Sequence, residues 1–291
     1  MDADSIPEPL VPLALWPCAQ TTAQWQRAGR YAPGSARHPG KMLPELARRI
    51  VSEFSRPGDL VVDPMCGIGT TLVEGAALGR RCVGVELEAR WAALARLNIT
   101  TVLGRPSRAG AEVRVGDARV LPDVLTDIAG RVDLVAMSPP YACEVGNVVQ
   151  RERSPGSTGL CDRDGLNYST TRDNLGHARG ARYVAEMTKV YEGCFAVLRP
   201  GGHLVVVTKN MRRDGRLVDL AAVTAGIACE VGFSYTQHVV SLLAGIRDGH
   251  LVGRPSFWQR LQVGKARERG EPLHVVCHED VLVFSAPGEA R

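Results

Sequence analysis

Short apolar runs alternate along this chain with longer segments whose apolar positions recur every three or four residues. In 42–54, Leu43, Leu46, Ile50 and Phe54 share one helical face, and Arg56-Pro57-Gly58-Asp59 ends the pattern. LVVD at 60–63 has the unbroken apolar character of a strand buried on both faces. A helix is predicted over 70–78, closed by Gly79. RCVGVE (81–86) reads as a strand, LEARWAALARLN (87–98) as a helix, EVRVGD (112–117) and DLVAM (133–137) as strands. Beyond 180 come a helix at about 181–198 stopped by Arg199-Pro200-Gly201-Gly202, a strand (203–209), a helix (217–232), a strand (233–243) and a last strand (279–286). Seven strands with intervening helices predict an α/β fold, a mostly parallel sheet with right-handed crossovers and helices on both faces.

Two stretches break the rhythm. Residues 142–180 are polar and rich in glycine and serine, a loop long enough to be functional or mobile; a lid over the site is expected. Residues 247–275 are basic. The organisation expected is an N-terminal arm (1–40) and one domain (41–291) with insertions at about 142–180 and 247–275.

Composition narrows the class. The chain has 291 residues, 45% hydrophobic and 23% charged, which excludes disorder, collagen and coiled coil. No apolar run is long enough for a membrane span, and the acidic N-terminus gives no export signal, so a cytoplasmic protein is expected, nucleoid-associated if it acts on DNA. Eight cysteines without a CxxC pair indicate neither a zinc framework nor a disulfide scaffold. His274 and His278 lie on a strand-like segment, so no metal is expected. A net charge of +4 is compatible with nucleic acid without demonstrating it.

The first candidate site is Asp63-Pro64-Met65-Cys66-Gly67-Ile68-Gly69-Thr70-Thr71, between a strand and a helix. Its glycines admit close backbone approach and the helix start offers free N–H groups. Leu72 stands where a dinucleotide fingerprint wants a third glycine, and no lysine makes a phosphate loop. Asp63 would repel a phosphate, so a cationic or neutral head suits better. Glu86 ends the second strand, where an acid receives ribose hydroxyls. Asp117, at the end of the third, is placed to accept from an adenine amino group. S-adenosyl-L-methionine meets these demands; the plain alternative is a tight strand–helix turn without a ligand.

The second site is Ser138-Pro139-Pro140-Tyr141, at the end of the fourth strand. Two prolines fix the backbone where its carbonyls would face a cleft, and Tyr141 offers a flat face for stacking. Together, DPMCGIGTT and SPPY resemble the paired motifs of the amino-group (cytosine-N4/adenine-N6) DNA methyltransferases. The segment Arg37-His38-Pro39-Gly40-Lys41-Met42-Leu43-Pro44 resembles the stretch that holds the cofactor's methionine part in that family, which brings in Lys41. RPGGHLVVVTKN resembles its strand after the catalytic loop. The likeness covers roughly 36–91 and 131–210.

That resemblance implies a Rossmann-like class I methyltransferase fold. It implies a cofactor site of Lys41, Asp63, Pro64, Met65, Cys66, Gly67, Gly69, Thr70, Thr71, Glu86 and Asp117, and a catalytic set of Ser138, Pro139, Pro140 and Tyr141. The serine form favours cytosine N4 over adenine N6, with DNA as partner, without metal or membrane. Met65 and Ile68 replace the usual Phe and Ser. No sizeable target-recognition domain is visible, and the motif order also matches the tRNA guanine-N2 methyltransferases, so an RNA substrate stays open. A non-catalytic cofactor-binding module that holds nucleic acid is the reading from another class. Cys66 and Cys143 read as wall residues, and Trp91 as core. In the basic stretch, Arg254, Phe257, Trp258, Arg260 and Lys265 are the candidate nucleic-acid contacts, the bland reading being a solvated insertion.

Overall fold

The computed structural model describes residues 12–104, 110–140, 174–175, 178, 180–213, 216–255 and 257–288. Its strands are β1 (Leu15–Trp16), β2 (Leu60–Asp63), β3 (Arg81–Glu86), β4 (Ala111–Val115), β5 (Val132–Met137), β6 (Leu198–Thr208), β7 (Met211–Arg213), β8 (Arg216–Val218), β9 (Ser234–Leu242), β10 (Ala244–Arg247), β11 (His250–Gly253) and β12 (His278–Ser285). Its helices are α1 (Ala23–Arg27), α2 (Pro44–Phe54), α3 (Thr70–Ala77), α4 (Ala89–Leu103), α5 (Leu121–Val124), α6 (Gly180–Val197), α7 (Leu220–Val231) and α8 (Phe257–Glu268).

The main sheet runs β1-β9-β12-β6-β5-β2-β3-β4. Pairs from β6 through β5, β2 and β3 to β4 are parallel, and β12 runs antiparallel to both of its neighbours. The order reverses between β2 and β5, the switch point at which open α/β sheets bind ligands. The sheet has eight strands rather than the seven expected. The extra one is β1, two residues that pair in parallel with Val240 and Ser241 of β9. Two residues carry no periodicity, so only the partner edge could create this strand.

Alternating side chains divide the core into two layers. Val62, Val85, Val135, Met137, Val206 and Leu282 face Met187, Tyr191 and Ile227 of α6 and α7. Val61, Ala136, Val207 and Val281 face Leu46 and Ile50 of α2, Leu72 of α3 and Trp91 of α4. The predicted amphipathic face of α2 is the one buried: Leu46 and Ile50 are inaccessible to solvent.

The segment expected as an extended arm is folded onto the domain from residue 12 onward. Trp16, Cys18 and Tyr31 are buried, Arg49 lies 5.0 Å over the Trp16 ring, and Tyr31 bonds the buried Glu74. The strand expected at 112–117 stops at Val115, and the connection after it is a 3₁₀ turn with the short α5. The Arg199-Pro200-Gly201-Gly202 segment begins β6 rather than separating it from α6. The expected insertion at 142–180 falls almost wholly outside the described residues. The one at 247–275 begins with the β10–β11 hairpin and contains α8. Among the described residues no helix is long and apolar enough to cross a membrane, and no cluster of His, Cys, Asp or Glu could hold a metal.

Candidate active site

A cavity of about 700 Å³ opens at the carboxyl ends of the central strands. Along one side it is lined by the loop from β2 to α3. Gly67 (φ 52°) and Gly69 (φ 78°) occupy the left-handed region there, and Gly69 is the N-cap of α3. A Cβ on Gly67 would stand 3.1 Å from His38 Nε2, and one on Gly69 3.0 Å from Ala95 Cβ. Both positions therefore demand glycine for conformation as well as space.

The loop is tied down by its neighbours. The Gly67 amide donates to Glu86 Oε2 (2.8 Å) and the Glu88 amide to Glu86 Oε1 (2.9 Å). The Met65 amide donates to Asp63 Oδ1 (3.1 Å). From α4, Asn98 donates to the Ile68 carbonyl (2.9 Å) and accepts from the Ala32 amide (2.9 Å) and the Ser35 hydroxyl (3.0 Å). Asn98 thus joins the N-terminal segment to the motif loop, a role with no signature in the sequence.

Two carboxyls give the site its electrostatics. Burial pushes Asp63 up to about 7, against its hydrogen bonds to Thr71 and the Met65 amide. Burial also raises Glu86 above the usual carboxylate range, despite the backbone donors of Gly67, Leu87 and Glu88. A cationic ligand in this cavity would supply the countercharge that both carboxyls lack. Cys66 is buried and its thiol is pushed well up, which suits a wall rather than a nucleophile. Thr70, Thr71 and Met65 complete this side of the lining.

Two expected contributors, and one residue expected only as core, take different surroundings. Lys41 lines the cavity, donates to the Ala36 (3.0 Å) and His38 carbonyls, and is lowered to about 8 by burial. Asp117 also lines it, but Arg119 occupies its carboxylate through Nε (2.9 and 3.0 Å) and reaches Glu186 of α6 at 2.8 Å. Burial opposes the charge on Asp117, and the Arg119 hydrogen bonds outweigh it and hold its carboxyl low. Trp91, expected as core, is buried and also forms a wall, meeting the ring of His38 edge-on at 4.7 Å. Burial lowers His38 to about 4, so the imidazole is neutral at physiological pH.

Ser138, Pro139 and Pro140 follow β5 and line the same cavity as Asp63 and Glu86. The hydroxyl of Tyr183, on α6, donates to the Pro140 carbonyl at 3.2 Å and fixes the loop. Sequence reasoning missed this contact because α6 is remote in the chain. Tyr141 and Cys143 lie outside the described residues.

The cavity is also lined by Lys209, Met211, Gln259, Gln262, His274 and Glu279, none of them expected as site residues. Of the expected nucleic-acid contacts, Arg260 and Lys265 are exposed on α8. Arg254 is instead structural: its guanidinium bonds the Ala19 carbonyl (2.9 Å) and the Gln20 carbonyl (3.0 Å). The side chains of Phe257 and Trp258 lie outside the description.

Comparison with known proteins gives the following. A family model described as DNA methylase matches residues 6–96. A tRNA (guanine(10)-N2)-dimethyltransferase of Methanocaldococcus jannaschii is 32% identical over 108 residues, 36% of this chain and 30% of that protein. The type II methyltransferase M.SmaI of Serratia marcescens is 48% identical over 54 residues, 19% of this chain and 18% of that protein. The chain thus spans less than a third of either relative's length. Among solved structures, the cyclase SpnF superposes with a TM-score of 0.50 at 14% identity, covering 89% of this chain and 87% of that one. A TehB-like SAM-dependent methyltransferase from Corynebacterium glutamicum matches with a TM-score of 0.44 at 14% identity, over 82% and 86%.

Proposed function

We propose that this chain, a relative of the amino-group methyltransferases with a class I methyltransferase fold, methylates an exocyclic amino group of a nucleic-acid base. The observation that supports it most is the convergence of Ser138-Pro139-Pro140 with Asp63, Gly67 and Glu86 on one cavity at the switch point. In this reading S-adenosyl-L-methionine, when bound, supplies a methyl group on an electrophilic sulfonium. Glu86 meets its ribose hydroxyls, and the carboxylate of Asp63 together with the peptide groups of 64–69 meets its charged end. Lys41 stands at the methionine end. Asp117 reaches the adenine amino group only as Arg119 yields.

The remaining chemistry belongs to the Ser138 loop. An exocyclic amine is a poor nucleophile because its lone pair is delocalised into the ring. Ser138 Oγ and the Pro139 carbonyl each accept one of its N–H bonds and draw the nitrogen toward a tetrahedral shape. The lone pair then points at the methyl group. The N–C bond forms as the S–C bond breaks, and the nitrogen releases one proton to water. Positioning and fixed dipoles supply the acceleration. The base leaves its stack to enter the cavity, and Tyr141 stacks on it. Neither a metal nor a cysteine adduct takes part. In this reading Arg260 and Lys265, exposed on the helix whose Gln259 and Gln262 line the cavity, meet phosphates.

DNA with cytosine N4 as target is the first reading, favoured by the serine of the motif and by the DNA methylase match. Guanine N2 of tRNA is the second, favoured by the Methanocaldococcus relative, whose match covers more of this chain than that of M.SmaI. Transfer of a tritiated methyl group to unmethylated DNA and to unmodified tRNA, followed by nucleoside analysis, tests both. Label in N4-methylcytosine supports the first and label in N2-methylguanosine the second. No label in either, with cofactor still bound, refutes both.

A further inference from the structure

The carboxyl edge of the sheet carries a row of polar residues that the proposed chemistry does not use in full. Side chains two apart on a strand share a face. Val61, Ala136, Val207 and Val281 all belong to the layer beneath α2. Asp63, Ser138, Lys209 and Glu279 each lie two residues from one of them, toward the cavity. They stand on β2, after β5, after β6 and on β12, which are consecutive in the sheet. Asp280 pairs with Thr208, which sets Glu279 beside Lys209 at that edge. All four line the cavity. With strands about 4.8 Å apart, Glu279 lies about 10 Å from Ser138 along the row, room for one base with a hydrogen bond at each side.

Glu279 is the anomaly in this row. Its Oε2 is buried without a hydrogen-bond partner. Lys209 makes no ion pair with it among the described residues. A buried acceptor and a donor-rich ammonium left apart at a cavity wall cost stability unless a ligand joins them. Burial raises Glu279 to about 7 and lowers Lys209, so the carboxyl can meet a partner as donor or as acceptor.

We propose that Glu279 and Lys209 read the edge of the target base beyond its amine, and that the base therefore carries an amino group, a ring nitrogen and a carbonyl side by side. This rests on the amino-methyltransferase reading and deepens it. Cytosine and guanine have that edge. Lys209, next to Ser138 in the row, faces the ring nitrogen: it donates to cytosine N3 as an ammonium, or accepts from guanine N1–H as the neutral amine toward which burial pushes it. Glu279, one strand farther, donates as a neutral acid to the carbonyl oxygen. Adenine has no carbonyl and gives Glu279 nothing to bind.

The test is methyl transfer from tritiated S-adenosylmethionine to DNA and tRNA by the whole chain and by Glu279→Ala, Glu279→Gln and Lys209→Met, with nucleoside analysis and a separate cofactor titration. Wild-type label is expected in cytosine or guanine. Glu279→Ala and Lys209→Met should lose about 10- to 100-fold in kcat/KM for nucleic acid, the range of a base-edge contact, with cofactor affinity unchanged. Glu279→Gln, nearly isosteric and able to present either amide group, should recover most of the loss. Label in N6-methyladenine would overturn the inference and leave the amino-methyltransferase reading standing. So would wild-type kcat/KM in the alanine and methionine variants, or a loss confined to cofactor affinity. No label in any nucleic acid, with cofactor bound, would overturn the broader reading and this inference with it.

Discussion

Asp63 and Ser138 show what single residues do in this site. Ser138→Ala and Tyr141→Ala should abolish methyl transfer with cofactor affinity nearly unchanged, since both act on the base; single-turnover transfer alongside a cofactor titration checks this. Asp63 has a folded value of about 7 against an ordinary 3.8, raised by burial. A carboxyl raised on folding binds more protons in the folded state than in the unfolded one. Its contribution is present below the unfolded value and is lost as pH climbs through the folded value, with no further change above it. Stability should therefore fall as pH rises from about 4 to 7. Asp63→Asn should flatten this decline and raise the melting temperature on the alkaline side; thermal melts across that window decide it. Glu86 and Glu279 are raised in the same direction, so the slope is reduced rather than erased.

Elements hold these residues through contacts that skip along the chain. Asn98 is fully buried, with one backbone acceptor on the motif loop and two donors in the N-terminal segment. Asn98→Ala strands all three and should cost about 2–4 kcal/mol in chemical denaturation while weakening cofactor binding. Tyr183→Phe removes the donor that fixes the Pro140 carbonyl. It should lower kcat several-fold and leave cofactor affinity alone, a split that steady-state kinetics resolves. The helix face of α2 and the strands β2 and β3 were legible because periodicity is local. Asn98 and Tyr183 were not, because a polar residue in a helix declares no partner in the sequence.

At the scale of the molecule, the N-terminal segment, the sheet edge and the β10–β11 hairpin are one packed unit. Arg254 bonds two carbonyls of the N-terminal segment, although its setting in a basic stretch suggested phosphate contact. Arg254→Ala should lower the melting temperature and leave the salt dependence of nucleic-acid binding unchanged. Arg260→Ala and Lys265→Ala should each reduce the slope of log affinity against log salt by about 1, with stability intact. Binding titrations at several salt concentrations separate the two behaviours.

By itself the sequence determined the alternation of strands and helices, the two motifs at strand ends, and the glycines at 67 and 69 whose positive φ the loop requires. These follow from local patterning and backbone sterics, which neighbouring residues settle among themselves. Only the tertiary structure decided that Leu15–Trp16 becomes an eighth strand, that Arg119 claims Asp117, and that Arg254 is structural. It alone set Glu279 and Lys209 in the wall of the cavity that the cofactor loop lines. Each of these depends on which distant strands become neighbours, and chain entropy lets a residue find a partner two hundred positions away only after the sheet has brought the two together.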